Sequence, residues 1–218
     1  MVAIEHTGVE FAPSRWDPRQ RMVGLMAGVA LGVLLAWVSF LAGGGDMDSA
    51  RFASNVVLFS ASIVFALYYC AGSIARLVRS GATRAWGEER FALAYGFIGM
   101  LGVYFACIMM PDYMMTGRIP FATAAYAVMT AGIATVFLFS AGNRRTDRSV
   151  TLRTFRSVSS GYFWMAFAFI DMDRMVGPHR PDANPYGISL LLLVFALLIR
   201  FADAFAQKHI AGMSERSI

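Results

Sequence analysis

Charged side chains are scarce in this sequence, and the few that it has avoid the middle of its long apolar runs. Asp, Glu, Lys and Arg together make up 15% of the 218 residues, whereas a soluble domain has about 25%. Hydrophobic residues reach 57%. A chain this short cannot turn so much apolar surface inward, so part of it must face lipid. The composition therefore indicates an integral membrane protein.

Residues that hold cofactors inside membrane helices are also missing. The three histidines, His6, His179 and His209, all lie outside the apolar runs, which argues against a haem held by two histidines within the bilayer. The single lysine, Lys208, lies near the end of the sequence, so no apolar run offers a lysine for a Schiff base. We therefore expect no cofactor and no bound metal.

Catalytic motifs and mid-span acids are absent as well. The chain contains neither H-E-x-x-H nor G-x-S-x-G, the sequence signatures of zinc proteases and serine hydrolases. Transporters coupled to protons or sodium usually carry an acid near the centre of a span, and no apolar run has one there. These absences disfavour an enzyme and a coupled transporter, but they are compatible with a passive channel.

Six apolar runs are present, each long enough or nearly long enough to cross a bilayer core of about 30 Å. Asp17 and Pro18 suit the start of the first helix, the triplet 43–45 of glycines ends it, and Pro111 is predicted to end the third. The predicted fold is an all-α bundle of six transmembrane helices. The spans are predicted at about 22–42, 54–75, 91–110, 120–141, 157–176 and 186–206.

Arginine marks every second loop of this arrangement. The basic segments contain Arg15, Arg19 and Arg21, then Arg76, Arg79, Arg84 and Arg90, then Arg144, Arg145, Arg148, Arg153 and Arg156. Because cytoplasmic loops carry the excess of arginine and lysine, both termini are predicted to be cytoplasmic. The sequence then divides into a cytoplasmic segment 1–20, a transmembrane domain 21–207 and a cytoplasmic tail 208–218. The near-exclusive use of arginine over lysine favours a bacterial inner-membrane protein.

The best candidate site lies at the end of the fifth span. Only 14 residues separate Arg156 from Asp171, about 21 Å of helix. Either the membrane is thin here, or Asp171, Asp173 and Arg174 lie within the outer leaflet, where they must pair or line water. The functional interpretation is a polar outer-leaflet cluster, with His179 nearby, that attracts cations or binds a metal. The alternative is an interfacial helix end, with an internal pair between Asp171 and Arg174, which are three residues apart.

Two further sets of charges are predicted at the cytoplasmic side. Arg200 and Asp203 are three residues apart in the sixth span and are predicted to pair with each other. Alternatively, Arg200 contacts an anionic lipid head group or a substrate phosphate. An anionic-lipid contact is also predicted for the basic loop, although the positive-inside rule alone accounts for its arginines: Arg144, Arg145, Arg148, Arg153 and Arg156.

Two stripes of small residues, spaced four apart, predict close helix packing. They consist of Gly24, Gly28, Gly32 and Ala36 in the first span, and of Thr123, Ala127, Ala131 and Thr135 in the fourth. Such stripes let a second helix approach closely. The second helix belongs either to the same bundle or to another subunit.

Three functions remain open at this point. The leading hypothesis is a non-catalytic subunit of a membrane assembly, homo- or hetero-oligomeric, which packs through the small-residue stripes. The second is a small-solute channel lined by polar residues of the fifth span and of the second, such as Ser62, Tyr69 and Ser73. The third is a lipid-modifying enzyme that uses Asp171 and Asp173. Lipids are expected partners, and nucleic acid is not, because the arginines form no continuous basic face.

Overall fold

Helix is the only regular secondary structure in the part of the chain that is described. The computed structural model describes residues 18–78, 80–142, 150–176 and 184–215. They form the helices α1 (Pro18–Ala42), α2 (Met47–Val78), α3 (Gly81–Thr116), α4 (Phe121–Gly142), α5 (Val150–Val176) and α6 (Asn184–Glu215). The predicted all-α fold is confirmed.

Five of these helices are long and apolar enough to cross a membrane. The segments that meet this standard are Arg19–Ala42, Met47–Val78, Arg90–Thr116, Phe121–Ser140 and Tyr186–His209. Helix α5 does not meet it, because charged residues near both of its ends leave a short apolar stretch between them. The prediction of membrane helices is therefore confirmed for five of the six, and the span at 157–176 stays a prediction.

The helix ends follow the breakers of the sequence with one exception. Helix α1 ends before Gly44 and Gly45, which have φ of 101° and 79°, a left-handed region that glycine adopts readily. The predicted end of the third helix at Pro111 is wrong, because α3 continues through this proline to Thr116. Proline removes one backbone donor, and a long membrane helix tolerates this loss when neighbouring groups compensate. The actual end is at Gly117, with φ of 67°.

A side-chain cap starts α2. The Asp46 carboxylate accepts hydrogen bonds from the Ser49 backbone N–H at 2.8 Å and from the Ser49 hydroxyl at 2.6 Å. These two bonds, the hydroxyl first, hold the pKa of Asp46 below its usual value. The acidic character of this loop, visible in the sequence, thus serves to cap a helix.

Helices α2 and α6 run parallel. The hydroxyls of Ser62 and Ser189 lie 2.6 Å apart, and Arg76 contacts Asp203. Both contacts join residues that are 127 positions apart. Because the residue numbers of the partners rise together from one contact to the next, the two helices run in the same direction. The two contacts are separated by fourteen residues of each helix, which is about 21 Å of rise.

Helix α5 runs antiparallel beside α6. The Trp164 indole N–H donates to the Leu193 carbonyl at 3.0 Å, and further along, the side chains of Asp171 and Ser189 are neighbours. Residue numbers rise on α5 as they fall on α6, so the two helices run in opposite directions, and they are neighbours over about two turns of α5. Although α5 is the least apolar helix, it packs lengthwise in the bundle.

A cluster of phenylalanine rings holds four helices together. The rings of Phe97 on α3 and Phe163 on α5 lie 5.1 Å apart at 83°, and Phe97 and Phe137 on α4 lie 6.2 Å apart at 87°. Phe65 on α2 lies 5.2 Å from Phe97. Edge-to-face contacts of this kind are favoured by the ring quadrupoles. Helix α5 reaches this core through Phe163 and also Phe167.

The small-residue stripe of α1 packs against α3 of the same chain. A Cβ built on Gly28 would lie 2.1 Å from the Gly96 carbonyl oxygen, so the two backbones are in direct contact. Gly24 and Gly32 face the same helix. The close helix packing that this stripe predicts is thus formed between α1 and α3 of the same chain. The stripe of α4 differs, because its Ala131 is exposed, and an interface with another subunit along it stays a prediction.

Candidate functional site

Arginine side chains from four helices converge on one cleft. The cleft has a volume of about 170 Å³ and is lined by Arg76 of α2, Arg90 of α3, Arg153 and Arg156 of α5, and Arg200 of α6. We call it the arginine cleft. Its other described lining residues are uncharged: Tyr68, Tyr69, Gly72, Ser73, Ser157 and Ser160. No acidic side chain occurs among the described residues that line it.

The alternating helix directions bring these residues to one end of the bundle. Helix α2 ends shortly after Arg76, α3 and α5 begin shortly before Arg90 and Arg153, and α6 passes this level at Arg200. The positive-inside rule accounts for arginines at this end of the helices. It does not require them to line a common space between helices, and this convergence is what makes the cleft a candidate site.

Asp203 pairs with Arg76, and the predicted pair with Arg200 is not formed. Arg76 Nε donates to both carboxylate oxygens, at 3.2 and 3.1 Å, and its Nη2 donates to one of them as well. Gln207 donates to the same carboxylate at 3.0 Å. Asp203 faces α2 rather than the outer surface of α6, and a forked guanidinium bond is stronger than a pair of neighbours on one helix. This contact ties α2 to α6.

Aromatic rings support two of the arginines. The guanidinium carbon of Arg200 lies 4.2 Å from the centre of the Tyr69 ring, and that of Arg90 lies 5.0 Å from the Phe91 ring. A cation over a ring face is held in position while its charge is kept. Gly72 makes room for Arg90, because a Cβ at this position would lie 2.7 Å from Arg90 Nη1.

The donor set of the cleft matches a phosphate group. Guanidinium groups offer paired N–H donors whose spacing fits phosphate oxygens. Ser73, Ser157 and Ser160 place hydroxyls at the same surface, and hydroxyls complete many phosphate sites as further donors. The volume has room for roughly ten water molecules, which is enough for a phosphate with part of the group that carries it.

Sequence reasoning found part of this site. Arg153, Arg156 and Arg200, predicted as contacts for anionic lipid or phosphate, all line the cleft. The other loop arginines of that prediction, Arg144, Arg145 and Arg148, lie outside the described residues. Arg76 and Arg90 were assigned only to membrane topology. No local pattern distinguishes them, because their role depends on which helices become neighbours.

The predicted outer-leaflet cluster is divided between two environments. Asp171 is buried whereas Asp173 is exposed, since residues two apart point to nearly opposite faces of a helix. The two aspartates therefore share no site, and the lipid-enzyme hypothesis loses its paired carboxylates. The predicted ion pair of Asp171 with Arg174 is not among the ion pairs of the described residues, and the Arg174 guanidinium lies 5.8 Å from the Tyr186 ring. His179 lies outside the described residues.

The fold and the cleft define a class: an all-α protein with five helices apolar enough for a membrane and an arginine-lined cleft at one end of the bundle. No protein-family model, curated protein or solved structure matches this chain. Among the described residues, no group of three or more His, Cys, Asp or Glu side chains is arranged to hold a metal. Function is therefore inferred from the cleft.

Proposed function

We propose that this chain is a six-span membrane protein that binds a phosphate-bearing anion in the arginine cleft, on the cytoplasmic side of a bacterial inner membrane. The observation that carries the proposal is the convergence of five arginines from four helices on one space of about 170 Å³. An anion bound there is attracted by the guanidinium groups that line the cleft. One of them, that of Arg76, also pairs with Asp203.

The position of the cleft is compatible with two kinds of phosphate ligand, a lipid head group and a soluble phosphate ester. It lies at helix ends, level with the head groups of the cytoplasmic leaflet in the proposed orientation, so a phospholipid head group reaches it from the side. A soluble phosphate ester reaches it from the cytoplasm. In both cases the cleft recognises a phosphate by guanidinium forks and serine hydroxyls.

Six spans and cytoplasmic termini are part of the proposal. The lengthwise packing of α5 between α4 and α6 supports a sixth span, since Phe163 reaches the aromatic core and Trp164 bonds to α6. The concentration of arginine at the cleft end supports the orientation.

Cysteine accessibility tests the sixth span. In a background with Cys70→Ser and Cys107→Ser, Thr151→Cys lies in the first turn of α5 and Asp182→Cys lies after the helix in the chain. With an impermeant thiol reagent on intact cells, we expect labelling of the Asp182→Cys variant alone, and labelling of Thr151→Cys only after permeabilisation. Equal labelling of both variants would show that α5 does not cross the membrane.

Binding measurements on arginine variants test the cleft. Losing one charge-assisted contact costs about 1.5–3 kcal/mol, so Arg200→Gln is expected to weaken phosphate binding about 10- to 100-fold. The protein is measured in nanodiscs by titration with inorganic phosphate, and by native mass spectrometry with phosphatidic acid or phosphatidylcholine in the bilayer. Preference for phosphatidic acid indicates a lipid head group, and binding of inorganic phosphate alone indicates a soluble ligand.

Arg51→Gln is the matched control for this experiment. Arg51 lies at the opposite end of the bundle, where its side chain is 81% exposed and forms an ion pair of 3.6 Å with Asp48. Its loss is expected to leave binding unchanged. Gly72→Leu is a second test, because a larger side chain there would displace the Arg90 guanidinium from its position, and it is expected to weaken phosphate binding. Absence of saturable binding to the unaltered protein, or an equal loss in Arg51→Gln, would refute the proposal.

A subunit role stays a second candidate. It is favoured by the outer surface of α4, where Ala131 is exposed and a Cβ on Gly132 would meet nothing within 4 Å. A helix of another chain has room to approach there closely. The native mass of the same nanodisc preparation distinguishes a single copy from an assembly.

A further inference from the structure

Helix α5 buries a carboxylate that no described cation neutralises. Asp171 is 3% exposed, and its Oδ2 has no hydrogen-bond partner among the described residues. Within the same part of the chain, no arginine or lysine forms an ion pair with it. Arg174, one turn further along α5, lies instead against the Tyr186 ring. Asp171 is therefore a buried acid without a counter-charge among the described residues.

The depth of Asp171 makes a negative charge costly. The side chain of Ser189 neighbours that of Asp171 and contacts Ser62 of α2. That level is about 21 Å along α2 from Arg76, which lines the cleft at the cytoplasmic side. The hydrocarbon core is about 30 Å thick, so Asp171 lies inside its outer half. An unpaired ionised carboxylate there costs several kcal/mol.

The groups around Asp171 come from four helices. Ser189 and Tyr186 belong to α6, Ser62 to α2 and Arg174 to α5 itself. From α3, Tyr104 lies near both Arg174 and Tyr186. The only described cation in this group is thus Arg174, and it is held against a tyrosine ring rather than against the carboxylate.

The hydrogen-bond chain favours a protonated acid. Ser62 Oγ lies 2.6 Å from Ser189 Oγ and 2.7 Å from the Phe59 carbonyl oxygen. If Asp171 carries a proton, it donates to Ser189, Ser189 donates to Ser62, and Ser62 donates to the Phe59 carbonyl. If Asp171 is ionised, Ser189 donates to the carboxylate, and Ser62 can then donate either to Ser189 or to the Phe59 carbonyl but not to both. The protonated form makes one hydrogen bond more and buries no charge.

We propose that Asp171 is a proton-binding site inside the membrane, a carboxylic acid that keeps its proton at neutral pH and donates it to Ser189. The chain from Asp171 through Ser189 to Ser62 joins α5, α6 and α2. This site lies about 21 Å along the bundle from the level of Arg76, and it does not depend on what the arginine cleft binds.

Infrared spectroscopy of the full chain in dodecyl maltoside, a detergent without carbonyl groups, tests this site. At pH 7 the spectrum is expected to show the C=O stretch of a protonated carboxyl group. Asp171→Asn is expected to abolish this band, and it suits the test because its amide is neutral and of the same size. Asp173→Asn, on the exposed face of α5, is expected to retain the band. The proposal is overturned if the band is missing from the unaltered protein at pH 7, or if it survives in Asp171→Asn.

Ser189→Ala tests the hydrogen-bond chain separately. Removal of the acceptor hydroxyl is expected to shift the carboxyl band of Asp171 to higher frequency without abolishing it, because the O–H group of the acid loses its partner. An unshifted band would overturn the assignment of Ser189 as acceptor. Retained binding of phosphate in these variants would show that the two sites are independent.

Discussion

Replacing Gly28 by alanine is expected to separate α1 from α3 and to lower the stability of the bundle by about 3 kcal/mol. A Cβ at this position would lie 2.1 Å from the Gly96 carbonyl oxygen, and 2.6 and 2.7 Å from the Gly96 Cα and carbonyl carbon. These are backbone atoms of a second helix, so no side-chain rotation relieves the clash. The helices must move apart and lose the contacts on both sides of it.

Gly102→Ala is the matched control. It also lies in a helix, on α3, but a Cβ there would meet nothing within 4 Å. Alanine favours helix over glycine by up to about 1 kcal/mol, so this variant is expected to be as stable as the parent or slightly more stable. Thermal unfolding in the same detergent compares the two. A Tm for Gly28→Ala equal to that of the parent would mean that α1 does not pack on α3 through Gly28.

Phe97→Ala is expected to cost about 3–5 kcal/mol. Phe97 is fully buried on α3, and its ring contacts those of Phe65, Phe137 and Phe163, from three other helices. Transfer from water contributes little inside a membrane, where lipid tails are as apolar as the core. The variant instead loses close packing and edge-to-face ring contacts, and it leaves a cavity in the bundle.

Phe139→Ala provides the comparison for this substitution. Phe139 on α4 is 65% exposed, so its ring faces lipid in the proposed membrane and its loss leaves no cavity. Its effect on Tm is expected to be small. Similar losses of stability in the two variants would show that the ring of Phe97 is not at the centre of the bundle.

The positions of the helices were largely predictable from the sequence. Hydropathy is a sum over consecutive residues, and glycines 43–45 end a helix through their own backbone preferences. Span limits and helix ends can therefore be predicted without knowing which helices pack together. Pro111 shows where local reasoning fails. A proline lacks one donor whatever surrounds it, but α3 continues past it to Thr116, which local rules do not foresee.

The candidate sites were predictable only in part. The spacing of Arg200 and Asp203 on one helix predicted a local pair, but the carboxylate faces α2 and binds Arg76, 127 positions away. Likewise, Asp171 and Asp173 are adjacent in the sequence pattern yet one is buried and the other exposed. A sequence shows which residues share a helix. It does not show which way that helix is rotated against its neighbours.

Composition and hydropathy are enough to predict that the chain is helical, that most of its helices are apolar enough for a membrane, and that arginine is concentrated in alternate loops. Each of these properties is a sum over neighbouring residues. Three features are visible only in the folded chain: the stripe of Gly28 packs on α3, arginines of four helices line one cleft, and Asp171 is buried near Ser189. These depend on the pairing and rotation of helices, which follow from packing between distant segments.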